Sequence, residues 1–76
     1  MTPRQLRYFV EVARVGSITT AAQVLQIAQP ALSQHIAAME QELDAQLLQR
    51  GARGVKLTTE GRRLLDRAAS ILRQME

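Results

Sequence analysis

The sequence predicts a mainly α domain: three helices, a two-stranded β-hairpin, and a longer amphipathic helix after them. Three observations predict it. Ile18, Ala21, Ala22 and Leu25 recur at i, i+3, i+4 and i+7, the spacing that places apolar side chains on one face of a short helix. Leu32, Ile36, Met39 and Leu43 repeat the pattern with only Gln26, Ile27 and Ala28 in between, so two helices must meet steeply through a tight turn, as in a helix-turn-helix. Past Leu43 the helical period lapses around Gly51-Ala52-Arg53-Gly54, which carries a hairpin signature.

Each element has its own boundary signals. Thr2 suits an N-cap, and Pro3 suits the first helical position, where a missing N–H is harmless and the fixed φ is already helical. Leu6, Phe9, Val10 and Ala13 then share a face, and Gly16 supplies the left-handed conformation that ends many helices. The first helix, about Pro3 to Val15, is therefore a platform behind the helix-turn-helix. Ser17 is the expected cap of a second helix from Ile18 to Leu25. The third opens with Gln29 and Pro30, although Ala28 stands where Ser, Thr or Asp would cap better and the turn has no glycine.

Leu47-Leu48-Gln49-Arg50 and Val55-Lys56-Leu57 supply the hairpin strands, with Leu47 and Leu57 expected to point inward as anchors. A lone two-stranded hairpin is barely stable in water, so it should rest on the helices as a wing. Thr58 can cap a last helix beginning near Thr59, and Glu60 in its first turn complements the helix dipole. Along that helix Leu64, Ala68, Ile71 and Met75 recur at coiled-coil spacing, and Leu65 and Leu72 widen the same face. This stripe can pair with a second copy or join the core of its own chain. The fold class is thus a winged helix-turn-helix over residues 1–58, followed by a linker or dimerisation helix over residues 59–76. The stripe is unbroken at Glu76, so the chain is expected to be the front portion of a longer protein.

Composition narrows the function. Seventy-six residues make one small domain, which buries only ~60% of the surface of its unfolded chain and gains from a partner subunit. An apolar content of 46% argues against disorder, and with Tyr8 and Phe9 as the only Tyr and Phe the core must be largely aliphatic. The lack of cysteine removes disulfide frameworks and zinc fingers, and no cofactor is expected. No apolar run approaches the ~18 residues of a membrane span, and the amino terminus lacks a signal-peptide pattern, so a soluble cytoplasmic protein is the default. Ser33 and the single histidine, His35, lie two residues apart on a helix and diverge, which leaves no workable catalytic triad. We expect His35 to be a polar residue of the helix surface.

The net charge is only +3, but Arg50, Arg53, Lys56, Arg62, Arg63 and Arg67 are opposed in their stretch only by Glu60 and Asp66, just after an acidic patch of Glu40, Glu42 and Asp44. A pI near 10.6 with clustered arginine is the footprint of a nucleic-acid binder, although a charge cluster alone is commonly a solvated face. Gln29, Ser33 and Gln34 turn away from the Leu32, Ile36, Met39 stripe and offer uncharged hydrogen-bonding groups. The helix end opened by Pro30 presents free N–H groups suited to a phosphate, while amide side chains can pair bidentately with adenine edges in a major groove. Such a face is as commonly plain solvated surface. Thr19 and Thr20, in the first turn of the second helix, could meet a phosphate or only water and local backbone. Arg53, between glycines at the hairpin tip, suits a narrow minor groove; an ordinary solvated turn is the alternative, and the neighbouring helix-turn-helix favours DNA. Arg50 and Lys56 would then hold phosphates.

Taken in order, the residues form a recognisable set: Arg4-Gln5-Leu6-Arg7-Tyr8-Phe9, Gly16-Ser17, Ala21-Ala22 with Leu25, Gln29-Pro30-Ala31-Leu32-Ser33, Glu42-Leu43, Leu47-Leu48 with Arg50, Gly54-Val55 with Leu57-Thr58, and Gly61. Over its whole length this chain resembles the amino-terminal DNA-binding domain of the LysR-type transcriptional regulators. The resemblance implies a bacterial regulator that binds double-stranded DNA at the nucleoid and forms a homodimer through its linker helix, or a tetramer in a full-length protein. A small-molecule effector would bind a carboxy-terminal domain absent from these residues. It also implies DNA contacts from Gln29, Pro30, Ser33, Gln34, Arg50 and Arg53. Ala28, where relatives commonly have Ser or Thr, Gln34, where Arg is frequent, and Ile18, where Phe is common, depart from the family pattern.

The leading expectation is therefore sequence-specific binding of an inverted-repeat site by a dimer, recognition helix in the major groove and wing in the minor groove. The runner-up is a winged-helix module for protein association, with the Leu64 to Met75 stripe and the acidic patch as its interface. An enzyme ranks third.

Overall fold

The computed structural model describes residues 1–75; Glu76, the last residue of the expected linker helix, lies outside the described residues. Its elements in chain order are α1 (Pro3–Val15), α2 (Ile18–Leu25), α3 (Gln29–Leu43), β1 (Leu48–Gly51), β2 (Gly54–Leu57) and α4 (Thr59–Met75).

Local chemistry explains most of these limits. Thr2 and Gln5 form a reciprocal capping box: the Gln5 N–H donates to Thr2 Oγ1 (3.1 Å) and the Thr2 N–H donates to Gln5 Oε1 (3.2 Å). Gly16 ends α1 at φ 73°, and Ser17 Oγ accepts the Thr20 N–H at 3.1 Å to open α2. The turn without glycine is made by Gln26, which takes the left-handed conformation itself at φ 59°. A paired set of bonds holds it there, from Gln26 N–H to the Gln23 carbonyl (3.2 Å) and from Ile27 N–H to the Ala22 carbonyl (3.0 Å). Asp44 ends α3 in the same way, at φ 51°. Ala28 makes no side-chain cap, so α3 begins with only backbone and Pro30 to define it.

The core forms where α1, α2 and α3 meet under the wing. Phe9, Val12, Leu32, Ile36 and Met39 are fully enclosed, joined by Leu6, Ile18, Ala21 and Ala22. Leu43, expected to continue the α3 stripe inward, lies at its end and is 40% exposed. β1 and β2 pair antiparallel with Leu48 opposite Leu57 and Gly51 opposite Gly54, leaving Ala52-Arg53 as the tip. The anchor opposite Leu57 is therefore Leu48. Leu47, expected to point inward, precedes the strand and is buried as expected.

The wing is fastened to the helices by its backbone. The Val55 N–H donates to the Gly16 carbonyl at 3.0 Å, which ties β2 to the turn between α1 and α2. Gly54, at φ 109°, permits this approach, because a Cβ there would overlap the Gly16 carbonyl oxygen. Thr58 closes the other end: its Oγ1 donates to the Gln46 carbonyl (2.6 Å) and accepts the Gly61 N–H (2.9 Å), capping α4 as expected.

The apolar stripe of α4 divides. Ala68 is fully enclosed in the core, Leu72 is buried, and Leu64 and Leu65 pack half-buried against the core. Only Ile71 (44%) and Met75 (54%) remain largely open. This division corrects the expectation for Ala68, which joins the core of its own chain and has no surface left to offer a partner helix. The reason is geometric: six apolar residues cover a face wide enough to meet α1 on one side and solvent on the other.

Candidate nucleic-acid interface

The first two turns of α3 carry the expected reading residues. Gln29, Pro30 and Gln34 are exposed and Ser33 is half-buried beside them. From Gln29 to Met39 the helix has no charged side chain, so its outward face offers hydrogen-bonding groups and shape without charge. Gln29 Nε2 donates to Ser33 Oγ at 3.1 Å, one helical turn on. That bond uses one amide hydrogen and leaves the other, with Oε1, for a partner: the donor and acceptor pair that an adenine edge requires. Ala37 and Ala38 continue the exposed face and were absent from the expected site. Their signal was the i+3 and i+4 spacing from Gln34; their methyl groups let a groove approach closely and suit thymine methyls.

Thr19 and Thr20 are exposed in the first turn of α2. On the wing, Gln49, Arg50, Ala52, Arg53 and Lys56 are all exposed, and Arg53 stands at the tip. No ion pair among the described residues engages Arg50, Arg53 or Lys56. A cation without a carboxylate partner keeps its charge available to a phosphate. Arg14 differs, since its guanidinium is hydrogen-bonded to Glu11 and thereby holds that carboxyl below its ordinary value. A shallow groove lined by Glu40, Gln46, Leu48, Gln49 and Arg50 joins α3 to the root of the wing.

The acidic patch loses its independence. Glu40 accepts the Leu47 N–H (2.8 Å), Glu42 accepts the Met1 ammonium (2.7 Å), and Asp44 forms the left-handed end of α3. His35, expected on the helix surface, instead faces α1. Its Nδ1 lies 3.3 Å from Gln5 Nε2, and its ring meets Tyr8 edge to face at 5.1 Å. Because Gln5 Oε1 is held by the Thr2 N–H, its amide nitrogen is the group left for His35, which locks the capping box of α1 to the flank of α3.

A sequence model of bacterial regulatory helix-turn-helix proteins of the lysR family matches residues 3–62. The chain belongs to that family. The nitrogen assimilation regulatory protein nac of Klebsiella aerogenes is 54% identical over 76 residues, covering 100% of this chain and 25% of that protein. The regulator BenM of Acinetobacter baylyi is 47% identical over 76 residues, with the same shares covered. Among solved structures, the DNA-binding domain of CbnR in complex with DNA matches with a TM-score of 0.95 at 39% identity, covering 99% of this chain and 86% of that one. The DNA-binding domain of BenM on benA site 1 DNA matches with a TM-score of 0.94 at 48% identity, covering 99% and 87%. This LysR-family chain spans about 25% of the length of the curated relatives it matches.

Proposed function

We propose that this chain is the DNA-binding part of a LysR-type transcription regulator and binds duplex DNA sequence-specifically. One observation carries the reading: an uncharged, hydrogen-bonding face at the start of α3 beside a wing whose Arg50, Arg53 and Lys56 are exposed. α3 enters the major groove with Gln29, Pro30, Ser33 and Gln34 against base edges and backbone. Arg53 enters the adjacent minor groove, while Arg50, Lys56, Thr19 and Thr20 hold phosphates. The DNA complexes of the CbnR and BenM domains support this reading.

Residues 1–58 form the DNA-binding unit and α4 the linker through which two subunits pair. The open Ile71 and Met75 support pairing along the outer side of α4, with Leu64, Leu65 and Leu72 at its margin. A dimer places two reading helices on an inverted repeat, and a full-length protein could assemble further into a tetramer. The chemistry is binding and not catalysis, the location is the cytoplasm, and a small-molecule effector would act on a further domain.

Selection from a pool of random duplexes at two salt concentrations tests the proposal. Enrichment of an inverted repeat with half-sites spaced by whole helical turns is the expected result. Retention without an enriched motif would remove the sequence-specific reading. No retention even at low salt would favour the protein-association alternative, in which the exposed end of α4 is the interface.

Two substitutions separate reading from gripping. Gln29→Ala is expected to weaken binding by ~1–3 kcal/mol and to relax preference at one base position. An unchanged selected motif would remove Gln29 from the reading set. Arg53→Ala should weaken binding evenly across sequences and lower the slope of log affinity against log salt by about one; a steep slope retained in that variant would place Arg53 off the DNA.

A further inference from the structure

The segment that leads into the wing has its backbone held from two sides. Glu40, in the last turn of α3, accepts the Leu47 N–H at Oε2 (2.8 Å), and the Leu48 N–H points to the same oxygen at 3.4 Å. On the far side the Leu47 carbonyl accepts the Thr58 N–H at 3.1 Å, and Thr58 Oγ1 donates to the Gln46 carbonyl at 2.6 Å. Gly61 brings the first turn of α4 against that same Leu47 carbonyl. Leu47, the residue before β1, therefore has its N–H held by α3 and its C=O held by Thr58, the cap of α4.

That arrangement does more than close a loop. Leu48 opens β1, Arg50 follows two residues later, and Arg53 is the tip. A hairpin joined to the domain by so short a root swings as a lever, so a small shift at Leu47 moves the tip by more. Among the described residues, Glu40 is the only side chain of α3 that hydrogen-bonds to the wing and its root. It lies one helical turn beyond Ile36 and Ala37, on the same rigid element as Gln29 and Ser33. We infer that Glu40 is a positioning residue: it sets the angle of the wing relative to the reading helix, so that Arg53 reaches its groove when Gln29 reaches its base. The inference rests on the proposed DNA-binding reading for its functional half. Its structural half, the attachment of the wing to α3, stands on the hydrogen bonds alone.

A carboxylate suits this task. One ionised oxygen can accept two successive N–H groups, and charge-assisted bonds of this kind are roughly twice as strong as neutral ones. Without it, the half-buried Leu47 and Leu48 donors would have to find water. Glutamine retains a single neutral acceptor and should hold the root partly.

The test compares wild type, Glu40→Ala, Glu40→Gln, Arg53→Ala and the Glu40→Ala/Arg53→Ala double variant. Binding is measured to the duplex selected above at several salt concentrations. Glu40→Ala is expected to lose affinity about tenfold and to lower the salt slope by about one, as Arg53→Ala does. The double variant should be no weaker than the weaker single one, because both remove the same contact, and Glu40→Gln should recover most of the loss. Base preference at the Gln29 position should stay unchanged. Multiplying losses in the double variant with a wild-type slope in Glu40→Ala would overturn the inference. Amide hydrogen exchange on the same proteins provides the second arm: in Glu40→Ala, exchange should rise at Leu47, Leu48 and the wing while α1 and α3 stay protected. Equal acceleration everywhere would reduce Glu40 to a general stabiliser, and no acceleration would remove it from the wing. If wild type bound no duplex, the proposed function would fail, whereas the exchange result would still decide whether Glu40 holds the wing.

Discussion

Replacing Phe9 with alanine is expected to destabilise the domain by about 3–5 kcal/mol, the usual cost of emptying a large aromatic site in a packed core. Phe9 is fully enclosed, and α1 and α3 supply Val12, Leu32, Ile36 and Met39 to the same buried cluster. A domain of 76 residues is expected to have only ~4–11 kcal/mol of total stability, at roughly 0.05–0.15 kcal/mol per residue. The substitution therefore removes a large part of what holds the chain folded. Few neighbours can move inward, because Val12, Leu32 and Met39 are already fully enclosed in the same buried cluster. Thermal unfolding followed by far-ultraviolet circular dichroism measures the effect, and a fall of roughly 15 °C or more is expected for a domain of this size. A melting point within a few degrees of wild type would mean that the core is centred elsewhere. DNA affinity should fall with the folded fraction and recover at low temperature, since Phe9 touches no proposed contact.

Gly61→Ala should destabilise by about 2–3 kcal/mol, against the ordinary rule that alanine improves a helix. Gly61 occupies the first turn of α4, where the propensity gain from alanine is at most ~1 kcal/mol. A Cβ there would overlap the Leu47 carbonyl oxygen and come within 3.0 Å of its carbon and 3.2 Å of Leu57 Cδ2. The obstacle is backbone, held by the Glu40 carboxylate on its N–H and by the Thr58 N–H on its carbonyl, so it cannot yield without breaking one of these bonds. Either α4 lifts away from the root of the wing or the root shifts. Both outcomes lower the melting point, and both disturb the placement of Arg50 and Arg53. Urea unfolding of the two proteins, with equal slopes, reads the difference directly. An alanine variant as stable as wild type would show that the approach of α4 to Leu47 is looser than the geometry states.

The helices were legible because their signals are local. Thr2, Pro3, Gly16, Ser17, Pro30 and Thr58 act within a turn of their own positions, and each appears in the structure in the role its chemistry implied. Gln29, Gln34, Arg50, Arg53 and Lys56 were legible as exposed polar or basic groups for a similar reason: helical phase and a glycine-bounded tip suffice to turn them outward. Ala37 and Ala38 escaped notice because an alanine carries no polar signal, although helical phase alone places them on that face. Leu47 is buried as expected, but two adjacent leucines leave a short strand's register free by one position, so the pairing of Leu48 with Leu57 was not legible. The bonds from Glu40 and Thr58 to the root of the wing fix that position from outside the strand.

The sequence by itself determined the element order, the helix limits and the helix-turn-helix, since each follows from periodicity and capping within a few residues, and its ordered set of residues carried the resemblance to the family. Tertiary structure alone decided four further points. Gln26 and Asp44 take left-handed turns that no glycine announces, where α2 gives way to α3 and α3 to the wing. His35 turns toward Gln5 and Tyr8 because α1 crosses that flank of α3. The α4 stripe gives Ala68 to its own core and leaves Ile71 and Met75 open, since only the crossing of α1 says which part of a wide apolar face is covered. Glu40 becomes the tether of the wing because its partners are backbone donors seven and eight residues away, and a backbone donor has no signature in a sequence.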